Sequence, residues 1–261
     1  MVLNHPTADR PSKTRVRQAF ERAAATYDAA AGIQRAVCHA LLATLADAAP
    51  PAALLDAGAG TGYALPLLAE RFPTAAPFAL DLSPAMLARI AAPCCRLVGD
   101  LEHLPLAAAS LDLYWSSLAV QWCELPRALA EARRVLRPGG RLAVASLGPE
   151  TFAELRQAFA GIDDYQHTLI FHTPEAIARM ALAAGFTDVA VDRQRQIAHY
   201  PDFRALLRAI KALGANQLSD GRRPHLMGRA AFAAAEAAAE RQRGAAGLPL
   251  TYDVLILKAH R

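Results

Sequence analysis

The chain has 261 residues and a mass of 27.8 kDa, enough for one main domain with an added segment. Hydrophobic residues make up 54% and charged residues 20%, which excludes an intrinsically disordered chain. No apolar run reaches the roughly 18 residues that a membrane-spanning helix needs, and the first residues lack the apolar segment of a secretory signal. The sequence therefore predicts a cytoplasmic protein that does not enter the membrane.

The net charge of +4 is unevenly distributed. Residues 10–35 hold six basic and two acidic residues, and residues 193–229 hold eight basic and two acidic residues. These basic segments indicate either an anionic partner or substrate, or ordinary solvated helix faces. No zinc-finger, RNP or KH pattern accompanies them, so a nucleic-acid partner is not expected.

The cysteines do not form a metal-binding or disulfide pattern. No CxxC spacing is present, and no histidine pair stands nearby at the spacing of metal ligands. We therefore expect no metal ion. The cysteines are Cys38, Cys94, Cys95 and Cys123.

In chain order, residues 1–13 are polar and predict a flexible tail, and residues 14–47 predict a helical segment. Strands and helices then alternate, which indicates a mostly parallel, doubly wound sheet. The predicted strands are 53–58, 77–82, 95–100, 111–117 and 141–147. The predicted helices between them are 63–71, 84–92 and 124–136.

Two further helices at 149–160 and 174–184 precede a predicted sixth strand at 186–192. Helices at 201–213 and 229–242 follow, and a long apolar segment at 250–260 predicts the last strand. The connection between the last two strands is too long for a hairpin. We therefore predict a helical cap at about 198–247, inserted into a main domain that spans 52–261.

The segment "LLDAGAGTGYALPLL" places glycines 58, 60 and 62 between a strand and a helix. Glycine there allows a sharp turn and a close approach of the backbone to a ligand. Tyr63 stands where a dinucleotide-binding fingerprint has its third glycine, which argues against a nicotinamide oxidoreductase. Asp81 ends the second strand and can accept hydrogen bonds from a ribose, and Asp100 ends the third and can hold an adenine amino group. This combination predicts a nucleoside cofactor such as S-adenosylmethionine.

The motifs "LDAGAGTG", "GDLEHLPL" and "LRPGGRLAV" resemble those of the class I S-adenosylmethionine-dependent methyltransferases. The resemblance implies a Rossmann-like α/β fold whose seven-stranded sheet has an antiparallel last strand between the fifth and the sixth. It also implies a helical lid at 14–47. The cofactor residues that it implies are Gln34, Asp56, Gly58, Gly60, Asp81, Leu82, Met86, Asp100, Leu101 and Ser116.

Within that class, the sequence is similar to the malonyl-acyl-carrier-protein O-methyltransferases of biotin synthesis. The segments that carry this similarity are "FERAAATYDAAAGIQ", "GDLEHLPL", "SSLAVQWC", "LRAIKALGAN" and "PLTYDVLI". The similarity implies transfer of a methyl group to the free carboxylate of a malonyl thioester, on a carrier protein or on CoA, with S-adenosylhomocysteine as the other product. A carboxylate is already ionised at pH 7, so no general base is required.

The same similarity gives roles to further residues. Tyr27 is expected to face the cofactor from the lid, and Gln121 and Trp122 to contact the acyl group. Arg22 or an arginine of the cap is expected to hold the malonyl carboxylate. An acidic carrier protein is expected to dock on a basic surface made of Arg204, Arg208, Lys211, Arg222 and Arg223.

Two alternatives stay open at the level of sequence. A methyltransferase that acts on another small carboxylate or on a quinone precursor would use the same cofactor residues. A non-catalytic module that binds S-adenosylmethionine would also show them.

Overall fold

The protein is described here by a computed structural model that covers residues 10–163, 165–212 and 227–261. Its centre is a seven-stranded sheet with the strand order β3-β2-β1-β4-β5-β7-β6. The strands are β1 (Ala53–Ala57), β2 (Ala76–Asp81), β3 (Cys95–Val98), β4 (Leu111–Ser117), β5 (Leu136–Leu147), β6 (Thr187–Tyr200) and β7 (Leu248–His260).

The first five strands are parallel to each other, and β7 is antiparallel to both β5 and β6. Helices cover both faces of the sheet, so central strands such as β4 are buried almost throughout. This topology confirms the predicted fold class, including the antiparallel last strand between β5 and β6. The carboxyl ends of β1, β2, β3 and β4 meet at one edge of the sheet, where ligands bind in doubly wound folds.

The helices follow the predicted alternation, with local differences in length. The stretch predicted as a helix over 84–92 forms only the short α5, which Pro84 starts and the Ser83 side chain caps. After the N-terminal helical segment come α4 (Ala64–Arg71), α5 (Pro84–Leu87), α6 (Leu125–Val135), α7 (Ala153–Phe159), α8 (Pro174–Ala183), α9 (Phe203–Ala212) and α10 (Arg229–Glu240).

The N-terminal segment, predicted as helical over 14–47, consists of α1 (Lys13–Ala23), α2 (Tyr27–Ala30) and α3 (Gly32–Ala43). Lys13, predicted in the flexible tail, is the first residue of α1, and the Ser12 hydroxyl caps that helix. Residues 1–9 of the predicted tail lie outside the described residues. The break between α1 and α2 turns the chain across the edge of the sheet.

The predicted cap begins later than expected. Residues 198–200 belong to β6, because the antiparallel pairing with β7 continues to the pair Tyr200 and Leu248. Helices α9 and α10 then follow. Phe203 is buried on α9, with its ring 6.0 Å from that of Phe159 and 5.9 Å from that of Phe232, so aromatic packing fixes the helix on the main domain.

The part of the chain that the structure describes holds no helix with both the length and the apolar character needed to cross a bilayer.

Candidate active site

The glycine loop after β1 is tied to the end of β2. Gly58 and Gly60 both have positive φ angles, of 78° and 54°, a conformation that glycine adopts without strain. The Gly58 N–H donates to the carbonyl of Leu80 at 2.7 Å, and the Gly60 N–H donates to Oδ2 of Asp81 at 2.9 Å. The Ser83 N–H donates to Oδ1 of Asp81 at 2.8 Å. Asp81 therefore holds the loop in place from the neighbouring strand.

This loop borders a first cavity, which we call the strand-end cavity. It lies between α1 and the ends of β1, β2, β3 and β4, and Lys13, Phe20 and Tyr27 form its N-terminal wall. The structure brings seven predicted cofactor residues together in its lining: Gly58, Gly60, Asp81, Leu82, Met86, Asp100 and Leu101.

A second cavity, the glycine-loop cavity, adjoins the first and shares Tyr27 with it. Gln34 and Asp56 line this cavity. Asp56 is only 2% exposed, and neither its Oδ2 nor Oε1 of Gln34 has a hydrogen-bond partner among the described residues. Burial, with a smaller effect of Asp81, raises the pKa of Asp56 to about 7.

Two buried oxygen acceptors without donors fit a cationic donor group. S-adenosylmethionine carries such a group, the ammonium of its methionyl part, and it is joined to an adenosine that the strand-end cavity can take. Asp56 and Gln34 would hold the ammonium, Asp81 the ribose, and Leu82 and Met86 the adenine.

Ser116 is a predicted cofactor residue, but it lines neither of these cavities. Its side chain is fully buried, and its hydroxyl donates to the carbonyl of Ala57 at 2.7 Å. Side chains alternate along a strand, so the next residue, Ser117, lines both the strand-end and the glycine-loop cavities instead.

Lys13 has a position that the sequence did not indicate. Its ammonium lies 3.0 Å from Asp100 Oδ1 and 2.5 Å from Glu102 Oε1, and it donates to Cys123 Sγ at 3.4 Å. These contacts join the start of α1 to the loops after β3 and β4. Charge complementarity between the basic segment 10–35 and the acidic "GDLEHLPL" was the only signal for this contact.

A third cavity, the aromatic cavity, lies on the other side of Tyr27. The segment Val120–Trp122 forms a turn of 3₁₀-helix after β4 and places Gln121 and Trp122 in the cavity wall. The ring of Phe20 lies 5.8 Å from that of Trp122 and 6.3 Å from that of Tyr27. Burial raises the pKa of Tyr27 above its usual value, with Asp81 adding to the shift, so the hydroxyl stays protonated. The other residues that line the cavity are Gln34, Leu118, Leu147, Phe152, Leu169, Phe171 and Tyr252.

The structure does not bring Arg22 to these cavities. Its side chain is exposed on α1 and lines none of the three. Arg10 is the arginine beside Gln121: its guanidinium donates to the main-chain carbonyl of Gln121 and lies 2.9 Å from Nε2 of His172. Val16, Ala19 and Ala23 are the buried residues of α1, and Arg22 lies outside the face that they form. Arg10 precedes the helix, so no helical pattern indicated its position.

The predicted docking residues divide into two groups. Arg204, Arg208 and Lys211 are exposed together on α9, and Arg204 also lies 3.7 Å from Glu236. Arg222 and Arg223 lie outside the described residues.

The fold and the site are those of a class I S-adenosylmethionine-dependent methyltransferase. Residues 55–144 match the family model described as a methyltransferase domain. The YcgJ protein of Bacillus subtilis has a similar structure, with a TM-score of 0.60 and 15% identity over 85% of this chain and 98% of that one. A possible histamine N-methyltransferase from Thermotoga maritima has a TM-score of 0.56 and 18% identity over 93% and 98% of the two chains. At these identities the likeness shows the fold alone.

Sequence comparison is more specific. The chain is 62% identical to the malonyl-[acyl-carrier protein] O-methyltransferase of Dechloromonas aromatica, over 97% of this chain and 96% of that one. It is 45% identical to the protein of the same name from Laribacter hongkongensis, over 95% and 89% of the two chains. The chain belongs to the malonyl-[acyl-carrier protein] O-methyltransferase family.

The pKa of Asp56 leads to a prediction about cofactor binding. The methionyl ammonium needs the ionised carboxylate, so the affinity for S-adenosylhomocysteine should rise from pH 5.5 to 7.5, by up to about tenfold per pH unit below the pKa. Titration calorimetry with Asp56→Asn should give weaker binding that no longer varies over this range. Asp192→Asn, an exposed change on β6, should keep the wild-type slope. If the affinity of Asp56→Asn rose with pH as steeply as that of the wild type, Asp56 would be excluded as the partner of the ammonium.

Proposed function

We propose that the protein transfers the methyl group of S-adenosylmethionine to the free carboxylate of a malonyl thioester. The observation that carries this proposal is the arrangement of the cavities. Tyr27 borders the two cavities that fit the cofactor and also the aromatic cavity. A donor and an acceptor can therefore meet at Tyr27. The similarity to relatives named as malonyl-[acyl-carrier protein] O-methyltransferases supplies the identity of the acceptor.

The chemistry suits a site without a general base. When bound, S-adenosylmethionine supplies an electrophilic methyl group on a positively charged sulfur. The carboxylate of a malonyl group is already ionised near neutral pH, so the protein does not have to remove a proton. Its residues have to align the acceptor and exclude water. Phe20, Tyr27 and Trp122 form the apolar wall between the cavities that would do this.

The decisive assay is formation of the ester. The purified protein, given methyl-labelled S-adenosylmethionine and either malonyl-carrier protein or malonyl-CoA, should yield a base-labile methyl ester. Acetyl-CoA, which lacks the free carboxylate, should yield none. Absence of ester from both malonyl thioesters would reject the proposal. Ester formed instead on another small carboxylate would favour that alternative, and binding without any transfer would favour a non-catalytic module.

The proposal includes a cytoplasmic location. All four cysteines are free thiols, and the adjacent Cys94 and Cys95 are at least partly exposed. Unpaired thiols of this kind are typical of a reducing compartment.

We also propose that the carrier protein docks on α9. Arg204, Arg208 and Lys211 recur at intervals of four and three residues, so they share one exposed face of the helix, while Phe203 and Leu206 are buried on the other. A row of exposed cations is suited to the acidic surface that we expect on the carrier, and its attraction is screened by salt.

Reversing the charge on this face of α9 should weaken the use of malonyl-carrier protein as a substrate. Arg208→Glu combined with Lys211→Glu should raise KM for malonyl-carrier protein by about tenfold, and the effect should shrink as salt rises. Arg179→Glu, on the exposed face of α8, is the matched control and should leave KM unchanged. A KM for malonyl-carrier protein that the double variant leaves unchanged at low salt would remove α9 as the docking surface.

A further inference from the structure

The wall of the aromatic cavity, as far as the described residues form it, has no basic side chain. Among the described residues that line it, the polar ones are Gln34, Gln121, Tyr27 and Tyr252, and none is lysine, arginine or histidine. This is an unexpected environment for a substrate whose reacting group is an anion. A buried carboxylate without a counter-charge is strongly disfavoured, since the interior replaces little of its hydration.

The nearby cations have other partners. Arg10 donates to the carbonyl of Gln121 and contacts His172, and Lys13 pairs with Asp100 and Glu102. On the opposite side, the Arg35 guanidinium donates to the carbonyl of Asp28 at 2.9 Å and borders the glycine-loop cavity.

The amide of Gln121 is fixed in the orientation that offers an oxygen. Its Nε2 donates to the carbonyl of Leu118 at 2.6 Å, and that carbonyl can only accept, so the amide cannot be turned round. Its Oε1 is buried without a hydrogen-bond partner among the described residues. An oxygen acceptor does not attract a carboxylate. The other donors in the described wall are all neutral: the Gln34 amide, the Trp122 indole, and the hydroxyls of Tyr27 and Tyr252, which burial keeps protonated by raising their pKa.

We propose that the malonyl carboxylate enters the aromatic cavity without a protein cation, and that the positive charge of S-adenosylmethionine is its counter-charge. The inference rests on the proposed function and adds a binding order to it. The acyl substrate should bind well only to the protein that already holds a positively charged cofactor. A malonyl thioester that arrives first, or that meets the neutral product S-adenosylhomocysteine, should bind weakly.

The same arrangement favours release after the reaction. A carboxylate oxygen attacks the methyl carbon, and the carbon–sulfur bond breaks with its electron pair left on sulfur. The products are a neutral methyl ester and a neutral thioether, and no proton moves. The attraction between the two ligands therefore disappears in the step that makes the products.

Binding measurements can test this without turnover. Malonyl-CoA is titrated into protein saturated with sinefungin, whose amine carries a positive charge in place of the sulfonium, or with S-adenosylhomocysteine, which is neutral there. The sinefungin complex should bind malonyl-CoA at least about tenfold more tightly, because a single charge pair in a partly buried site exceeds that difference. The methyl ester of malonyl-CoA, which has no charged carboxylate, should bind both complexes equally.

Two results would overturn the inference. The first is equal affinity of malonyl-CoA for the two complexes. The second is evidence that a protein cation selects the acid over the ester. In the sinefungin complex, we expect the ratio of the affinities for malonyl-CoA and for its methyl ester to stay unchanged in two variants. These are Arg10→Gln and the double variant Arg222→Gln with Arg223→Gln. Loss of that ratio in either variant would assign the carboxylate to an arginine.

The failure of this inference can be distinguished from failure of the proposed function. If the labelling assay yields methyl ester but malonyl-CoA binds both complexes alike, only the charge-dependent binding order is wrong. If no ester forms from either malonyl thioester, the proposed function is wrong and this inference falls with it.

Discussion

The site depends on one close approach, between the glycine loop after β1 and the loop after β4. A Cβ atom placed on Gly58 would lie 2.2 Å from the Cβ of Ala119, which is too close for two carbon atoms that are not bonded to each other. Gly58 borders both the strand-end and the glycine-loop cavities, and Ala119 leads into the turn that carries Gln121 and Trp122. The absence of one side chain thus lets the cofactor loop and the acceptor wall share a boundary. We regard this contact as the constraint that makes the cavities one functional unit.

Charge is divided across this boundary. On the cofactor side, Asp56, Asp81 and Asp100 border the cavities, and Oδ2 of the buried Asp56 has no hydrogen-bond partner among the described residues. Lys13 and Arg35 border these cavities too, but Lys13 pairs with Asp100 and Arg35 donates to a main-chain carbonyl. On the acceptor side, the described wall is aromatic and amide-bearing and has no ionisable acid or base other than tyrosine. A cationic ligand suits the first side. An anionic ligand is accommodated on the second side only when the first is filled. This division gives a physical reason for joining a positively charged methyl donor to a carboxylate acceptor.

The N-terminal helices are held at the edge of the sheet by apolar packing, such as that of Phe20 on Trp122 and of Leu41 in the core, and also by polar contacts. Lys13 reaches the loops after β3 and β4, and the Thr61 hydroxyl in the glycine loop donates to the carboxylate of Asp28 on α2 at 2.6 Å. Such partly exposed contacts are individually weak and sensitive to salt.

Much of the fold and of the cofactor site was predictable from the sequence. The buried strands are continuous apolar segments, which made them recognisable. Glycine or aspartate follows or ends these strands, so Gly58, Asp81 and Asp100 lie at the edge of the sheet where the sequence pattern had predicted them. Observed and expected positions differ where contacts between distant parts of the chain decide the geometry. Ser116 and Ser117 differ only in which side of the strand they face, and the end of β6 is set by its pairing with β7. Arg22 lies outside the face of α1 that Val16, Ala19 and Ala23 bury, so the spacing of the apolar residues already argued against its place in the site.

The contact between Gly58 and Ala119 can be tested directly by measuring affinity for S-adenosylhomocysteine in three variants. Gly139→Ala carries the backbone cost alone, because Gly139 has the same φ of 78° and open space around it; that cost is about 1–2 kcal/mol of stability. Gly58→Ala adds the clash, and combining it with Ala119→Gly removes the opposing Cβ. The account predicts normal affinity in Gly139→Ala, a loss of more than about tenfold in Gly58→Ala, and substantial recovery in the double variant. Gly58→Ala protein that binds as tightly as Gly139→Ala, or a loss that Ala119→Gly does not relieve, would contradict it.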